Sequence, residues 1–140
     1  MTVRIKRVYE PRAPRDGKRI LVERLWPRGL KKEAVRADAW LKDVAPSTGL
    51  RQWFGHDVRR WDEFRQRYES ELKANQSAWE SLMEAGSRRA VTLLYSARDE
   101  QHNGARVLRD FLVKRMPRKQ ARAKRNSFRT RGVARRNRAR

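Results

Sequence analysis

Five consecutive apolar or β-branched residues, Val91-Thr92-Leu93-Leu94-Tyr95, constrain this chain more than any other stretch. The run is of strand length, too short for a buried helix, and it lacks polar alternation. A strand without alternation offers water no face, so it belongs inside a sheet that is covered on both sides. A polar loop, Ser96 to Asn103, follows it. Then comes a helical pattern in which Ala105, Leu108, Phe111 and Leu112 share one face. Strand, polar loop and helix are half of a doubly wound unit, whose ligands bind beyond the carboxyl ends of the strands. Backbone N–H groups at the start of such a helix attract anions, and Arg98 beside them adds to the field. The expected fold class is α/β, a small mainly parallel sheet with helices packed around it.

The rest of the chain fits that frame. Thr2 to Val8 alternates Val3 and Ile5 with Arg4 and Lys6, the pattern of a short strand with one covered face. Pro11, Pro14 and Asp16-Gly17 mark a loop and turn. Arg19 to Arg24, centred on Ile20-Leu21-Val22, predicts a second, more buried strand. It ends at Leu25-Trp26-Pro27-Arg28-Gly29, where proline stops the strand and glycine permits a sharp turn. That puts Arg24, Trp26 and Arg28 near a strand's carboxyl end.

Leu30 to Leu41 reads as a weak helix. Ser47 is a suitable N-cap for a short helix carrying Leu50, Trp53 and Phe54, closed by Gly55. Asp57 to Lys73 holds the strongest helical period, with Trp61, Phe64, Tyr68 and Leu72 on one face. Gln76 to Ala85 continues as a helix that Gly86 is expected to end.

Composition narrows the chemistry. There is no cysteine, which excludes disulfides, thiolate catalysis and cysteine-based metal sites, and the two histidines, His56 and His102, sit in no metal-binding spacing. No cofactor or metal is expected. No apolar run reaches the length of a membrane span, and MTVRIKRVYE has no signal-peptide core, so a cytoplasmic protein without a membrane partner is expected.

The net charge is +21, unevenly spread. Pro117 to Arg140 carries 11 of the 37 basic residues and none of the 16 acidic ones, which leaves residues 1–116 at 26 against 16. The tail has too little apolar content to repay the entropy of folding. The expected organisation is therefore a compact domain over 1–116 and a disordered basic extension over 117–140. Arg118, Lys119, Arg122, Lys124, Arg125, Arg129, Arg131, Arg135, Arg136, Arg138 and Arg140 are what a phosphate-backbone binder needs. The bland alternative is a solubilising tail. Oligomeric state is not legible.

Arginines Arg24, Arg28, Arg51 and Arg98 are candidates to line an anion pocket, because guanidinium forks fit phosphate and carboxylate. Otherwise they are simply an arginine-rich surface. Tyr95 and Ser96 are candidate proton donors or nucleophile, but no G-x-S-x-G elbow surrounds Ser96, which also reads as a turn or capping hydroxyl. His56 is a candidate base or a surface residue at a helix junction, and His102 lies in the final loop with no partner assigned by sequence. Asp99 and Asn103 suit either a ligand hydroxyl or the cap of the last helix. Trp53 and Trp61 lie on apolar helical faces and read as core; Trp26 stands apart, in a loop beside two arginines. Ser47 completes the candidate ligand-binding set of Arg24, Trp26, Arg28, Ser47, Arg51, His56, Tyr95, Ser96, Arg98 and Asn103.

Several of these stretches together resemble a family. Val8-Tyr9, Ile20 through Gly29, Ala45-Pro46-Ser47-Thr48, Leu50-Arg51, Phe54-Gly55-His56-Asp57, Phe64 through Tyr68, Thr92 through Asp99, Asn103 and Val107-Leu108 are similar to the bacterial YeaO-like proteins, in the same order. The resemblance covers residues 1 to about 115 and leaves the basic tail outside. It implies a small cytoplasmic α/β domain of unknown function. Some members carry a transcriptional-regulator label, but no helix-turn-helix pattern is present here. Some larger relatives place a cysteine near the equivalent of the final loop. Here the position is served by Ser96 or by nothing, so cysteine-based phosphatase or sulfurtransferase chemistry does not carry over. Two functions remain: binding of a small anionic or phosphorylated ligand at the strand ends, or non-specific binding of DNA or RNA through the tail.

Overall fold

The computed structural model describes residues 2–116. Four strands, β1 (Thr2–Arg7), β2 (Lys18–Leu21), β3 (Ala39–Trp40) and β4 (Ala90–Tyr95), form one sheet in the order β1-β4-β2-β3. All three pairings are parallel, as expected for a sheet covered on both faces. Val3 lies opposite Val91 and Ile5 opposite Leu93, while Leu93 also faces Ile20 across the other ladder. The apolar run is thus the centre of the sheet, and every residue from Val91 to Tyr95 is at most 2% exposed.

Five helices complete the described fold: α1 (Lys32–Val35), α2 (Thr48–Phe54), α3 (Trp61–Lys73), α4 (Gln76–Arg88) and α5 (Gly104–Arg115). One sheet face, with Val3, Ile20, Val91, Leu93 and Tyr95, packs against Phe64, Tyr68, Leu72, Leu82, Leu108 and Phe111 of the long helices. The other face carries Val8, Leu21, Leu94 and Val35, over which Trp26, Leu30 and Trp40 fold. Beneath the same face Arg19, 1% exposed, donates to Asp16 (2.6 Å) and to the carbonyls of Val35 (2.8 Å) and Arg36 (3.1 Å). Lys6 joins this network at 3.0 Å from Asp16. Thr92 donates its hydroxyl to the Asp16 carbonyl (2.7 Å), tying the loop to the central strand.

Three sequence expectations need correction. The helix expected over Leu30–Leu41 closes after one turn, because Arg36 enters the left-handed region (φ 52°) and caps α1. The chain then runs beside β2, with Asp38 N–H on the Arg19 carbonyl and Leu41 N–H on the Leu21 carbonyl, and creates β3. The helix expected from Asp57 begins at Trp61; Asp57 caps a 3-10 turn, Val58–Arg60, by accepting from Arg59 N–H. Gly86 does not end its helix. It lies within α4, where a Cβ would come within 2.6 Å of Met116 and 3.0 Å of Val3, so its role is close packing against β1 and the end of α5.

Trp53 and Trp61 are only half-buried, at the rim of the core rather than inside it. The α2 prediction holds, with Ser47 Oγ accepting from Leu50 N–H and Gly55 at φ 51° closing the turn. Among the described residues no helix is long and apolar enough to cross a membrane.

Candidate ligand-binding site

Parallel strands deliver their carboxyl ends to one edge of the sheet. Here β2 ends into Val22-Glu23 and β4 into Ser96-Ala97-Arg98-Asp99, and these two segments form the floor of a cavity of about 580 Å³. Helix α2 contributes Arg51 and Phe54, the turn after it His56, α3 contributes Phe64, and the loop into α5 contributes His102 and Asn103 with Gly104 at the helix start. One wall is apolar, made by Val22, Pro46, Phe54, Phe64 and Ala97. Phe54 and Phe64 stack with ring centroids 4.3 Å apart.

The wall is held by contacts from outside it. Arg24 Nε donates to the Pro46 carbonyl (3.0 Å) and Nη2 to the Ala45 carbonyl (3.2 Å). The Tyr68 hydroxyl, fully buried, donates to the Val44 carbonyl (2.6 Å), and burial raises its pKa. Ser47 donates its hydroxyl to Glu71 (2.5 Å) and its N–H to the other Glu71 oxygen (2.9 Å). Pro46 is therefore fixed on both sides. The floor is fixed as well, since the Trp40 indole of β3 donates to the Glu23 carbonyl (2.7 Å).

At the centre, Ser96 donates its hydroxyl to Glu23 Oε1 (2.5 Å) across the ends of two adjacent strands. Burial raises the Glu23 pKa; the Ser96 hydrogen bond and the nearby charge of Arg51 offset this only in part. Asp99 differs. It accepts from the N–H groups of Gln101 (2.9 Å) and His102 (3.0 Å) and lies 2.9 Å from His102 Nδ1, which together hold its pKa below the ordinary carboxylate range. The His102 ring meets Trp61 edge-on at 5.1 Å. No hydrogen bond links the Ser96–Glu23 pair to the Asp99–His102 pair among the described residues, so the four do not make a serine–histidine–acid relay.

Arg51 and Arg98 are exposed at the cavity, and among the described residues neither guanidinium is bonded to a carboxylate or a carbonyl. Asn103 accepts from Arg106 N–H (2.9 Å) as the cap of α5 and donates to the Asp99 carbonyl (3.0 Å), so it shapes the loop. The structure thus brings Arg51, His56, Ser96, Arg98 and Asn103 together. The other candidates stand apart. Arg24 and Ser47 brace the wall. Trp26 covers the far sheet face, bonded to the Leu30 carbonyl (2.6 Å) and edge-on to Trp40. Arg28 is exposed, with its carbonyl near Tyr9, and Tyr95 is buried in the core. Of the loops Trp26–Gly29, Pro46–Arg51 and Ser96–Asn103, expected to share an anion pocket, only the last two thus meet at the cavity, since no residue of Trp26–Gly29 lines it. Glu23, Phe54 and Phe64 also line the cavity and were not among the candidates.

A family model described as the inactive DUF488-N3 subclade matches residues 2–130. The chain belongs to that family. Among relatives of this DUF488-N3 chain, the uncharacterised protein YeaO of Escherichia coli K12 is 43% identical over 112 residues, covering 80% of this chain and 97% of YeaO. The uncharacterised protein Rv3073c of Mycobacterium tuberculosis H37Rv is 43% identical over 110 residues, covering 79% of this chain and 92% of Rv3073c. The YeaO-like resemblance read from the motifs is therefore correct. The DUF488-N3 match reaches past Met116, further than those motifs. No solved structure matches the chain.

Among the described residues no group of three or more histidine, cysteine, aspartate or glutamate side chains is placed to hold a metal ion. A second cleft, of about 690 Å³, lies at the amino ends of β2 and β4 and is lined by Arg12, Lys18, Asp38, Glu84, Arg88 and Arg89, among others. Arg88 is paired there with Glu84 (2.9 Å), and Asp38 accepts from Arg19 N–H (2.8 Å). The basic residues from Arg118 to Arg140 lie outside the described residues.

Proposed function

We propose that the folded domain, ending near Met116, is a cytoplasmic binding module for a small anionic or phosphorylated ligand, held at the carboxyl ends of β2 and β4. The observation that carries this reading is a pair of guanidinium groups, Arg51 and Arg98, uncommitted among the described residues, beside a half-open cavity with an apolar wall. An arginine already engaged with its own protein has little left to offer a ligand; these two are free to form bidentate bonds to an anion. Binding rather than turnover is favoured by the separation of the two acid-containing pairs, and by the word inactive in the family's description. Thermal-shift measurements against phosphate, sugar phosphates and nucleotides test the reading. A ligand at 100 times its dissociation constant should add about 2.7 kcal/mol of stability. The shift should be lost in Arg51→Ala and Arg98→Ala; equal shifts in both variants and the parent protein would refute the site.

The charge distribution favours a second activity in another part of the chain. Eleven basic residues without an acidic one, in Pro117–Arg140, are suited to DNA or RNA backbones with little sequence preference. If about six to ten of them meet phosphates, affinity should fall roughly a thousandfold to a hundred-thousandfold between 50 and 200 mM salt. A salt titration of the full chain and of a chain ending at Met116, on unrelated duplexes and single strands, decides it. Equal affinity with and without the tail would assign the charge to solvation.

A further inference from the structure

Glu23 is out of place in a pocket for anions. A half-buried carboxylate facing the same cavity as Arg51 and Arg98 repels a small anion that sits deep, so a ligand that fills this cavity must be two-ended. One end carries the anion, and the other brings N–H donors to Glu23.

Ser96 engages this carboxylate through its hydroxyl at Oε1 (2.5 Å) and through its backbone N–H, which leaves acceptor capacity for a ligand, since two carboxylate oxygens offer about four lone pairs and Glu23 lines the cavity. Phe54 and Phe64, buried and stacked on each other, close one side of the cavity with apolar surface, which suits the apolar body of a ring, and a volume of about 580 Å³ is far more than a bare phosphate needs. Among the common nucleobases, guanine alone presents two adjacent N–H donors, at N1 and N2, spaced for a carboxylate. Adenine and cytosine place an acceptor nitrogen next to their amino group, and uracil flanks its N–H with two carbonyls. Each of these sets a lone pair against Glu23, and an unpaired polar contact in a half-buried site is costly.

We propose that the cavity binds a guanine nucleotide, with Glu23 reading the N1–H and N2–H edge of the base against the Phe54–Phe64 wall and Arg51 and Arg98 holding the phosphate. This rests on the anion-binding reading above and adds the identity of the other end of the ligand.

The test uses the full chain at 200 mM salt, where attraction between exposed charges further apart than a Debye length is largely screened and direct contacts in the cavity are kept. Dissociation constants are measured calorimetrically for GMP, AMP, guanosine and inorganic phosphate with the parent protein, Glu23→Gln and Arg98→Ala. The expected result is a tenfold or greater preference for GMP over AMP in the parent. Glu23→Gln should lose that preference, because an amide can accept one N–H but sets its own amino group against the other. Its fold is checked by an unchanged circular dichroism spectrum; should it be perturbed, Glu23→Asp replaces it, and its shorter carboxylate should weaken GMP at least tenfold while leaving phosphate unchanged. Arg98→Ala should weaken GMP and phosphate together and leave guanosine unaffected. Phosphate binding as tightly as GMP, or AMP as tightly as GMP, would overturn the guanine assignment and leave the anion site standing. Binding of none of the four would overturn both. A guanine preference that survives in Glu23→Gln would remove Glu23 from the site.

Discussion

Asp16 and Arg19 show how much a single residue's meaning depends on what folds over it. Arg19 sits in β2, where a basic residue reads as solvent-facing, yet loops from both ends of the sequence neighbourhood enclose it and Asp16 neutralises it. Burial pushes the Asp16 pKa up, but hydrogen bonds from Ala13 N–H, Lys6 and Arg19 outweigh that, and the net direction is downward. A carboxylate whose folded pKa lies below its unfolded one stabilises the fold above the unfolded value of about 3.9, and that stability is lost as pH falls through the folded value. Asp16→Ala should therefore cost about 3–5 kcal/mol at neutral pH, since it strands a buried guanidinium. The deficit relative to the parent should shrink on acidification below about pH 4 in denaturant titrations. A constant deficit across that range would show that packing, not charge, is what Asp16 supplies.

Among the elements, those defined by their own residues were legible and those defined by distant partners were not. The Val91–Tyr95 strand, the Ser47 cap and the strong period from Trp61 onward are local properties, and the sequence reading placed them within a few residues. β3 was missed because Ala39-Trp40 carries no strand pattern and exists only through its bonds to β2. Glu23 escaped the candidate list for the same reason: its partner Ser96 lies 73 positions away, and nothing between them signals that their strands end side by side. Arg51 and Arg98 as anion holders and His56 as a base were candidates on residue type alone, and the fold brings all three to the lining of one cavity.

The loop leading into β2 provides a test at this scale. Gly17 has φ 64° and ψ −135°, a conformation almost restricted to glycine, and a Cβ there would lie 2.2 Å from the Ala90 carbonyl oxygen. Gly17→Ala should destabilise by roughly 1–3 kcal/mol, because it strains the backbone and pushes β2 away from β4. An unchanged melting temperature would mean that the turn and β4 can separate without loss.

For the molecule as a whole, the order of strands in the sheet has a consequence for how the protein is made. The central strand, β4, is the last of the four to leave the ribosome, and both β1 and β2 depend on it for their pairing. A nascent chain that has reached only Arg89 carries β1 and β2 with the position between them empty, so neither can satisfy its backbone along that side. A purified fragment 1–89 should accordingly melt without a cooperative transition, whereas 1–116 should melt cooperatively; a sharp transition in 1–89 would show that the helices can organise a core without the sheet. Contacts between residues so far apart also slow folding, because the loop must close before the pairing rewards it. Translation therefore delivers most of this chain before β1 can join the β2–β3 pair, and during that interval two strand edges are available to neighbouring polypeptides. A chaperone that occupies strand edges would find those of β1 and β2 open until Tyr95 emerges.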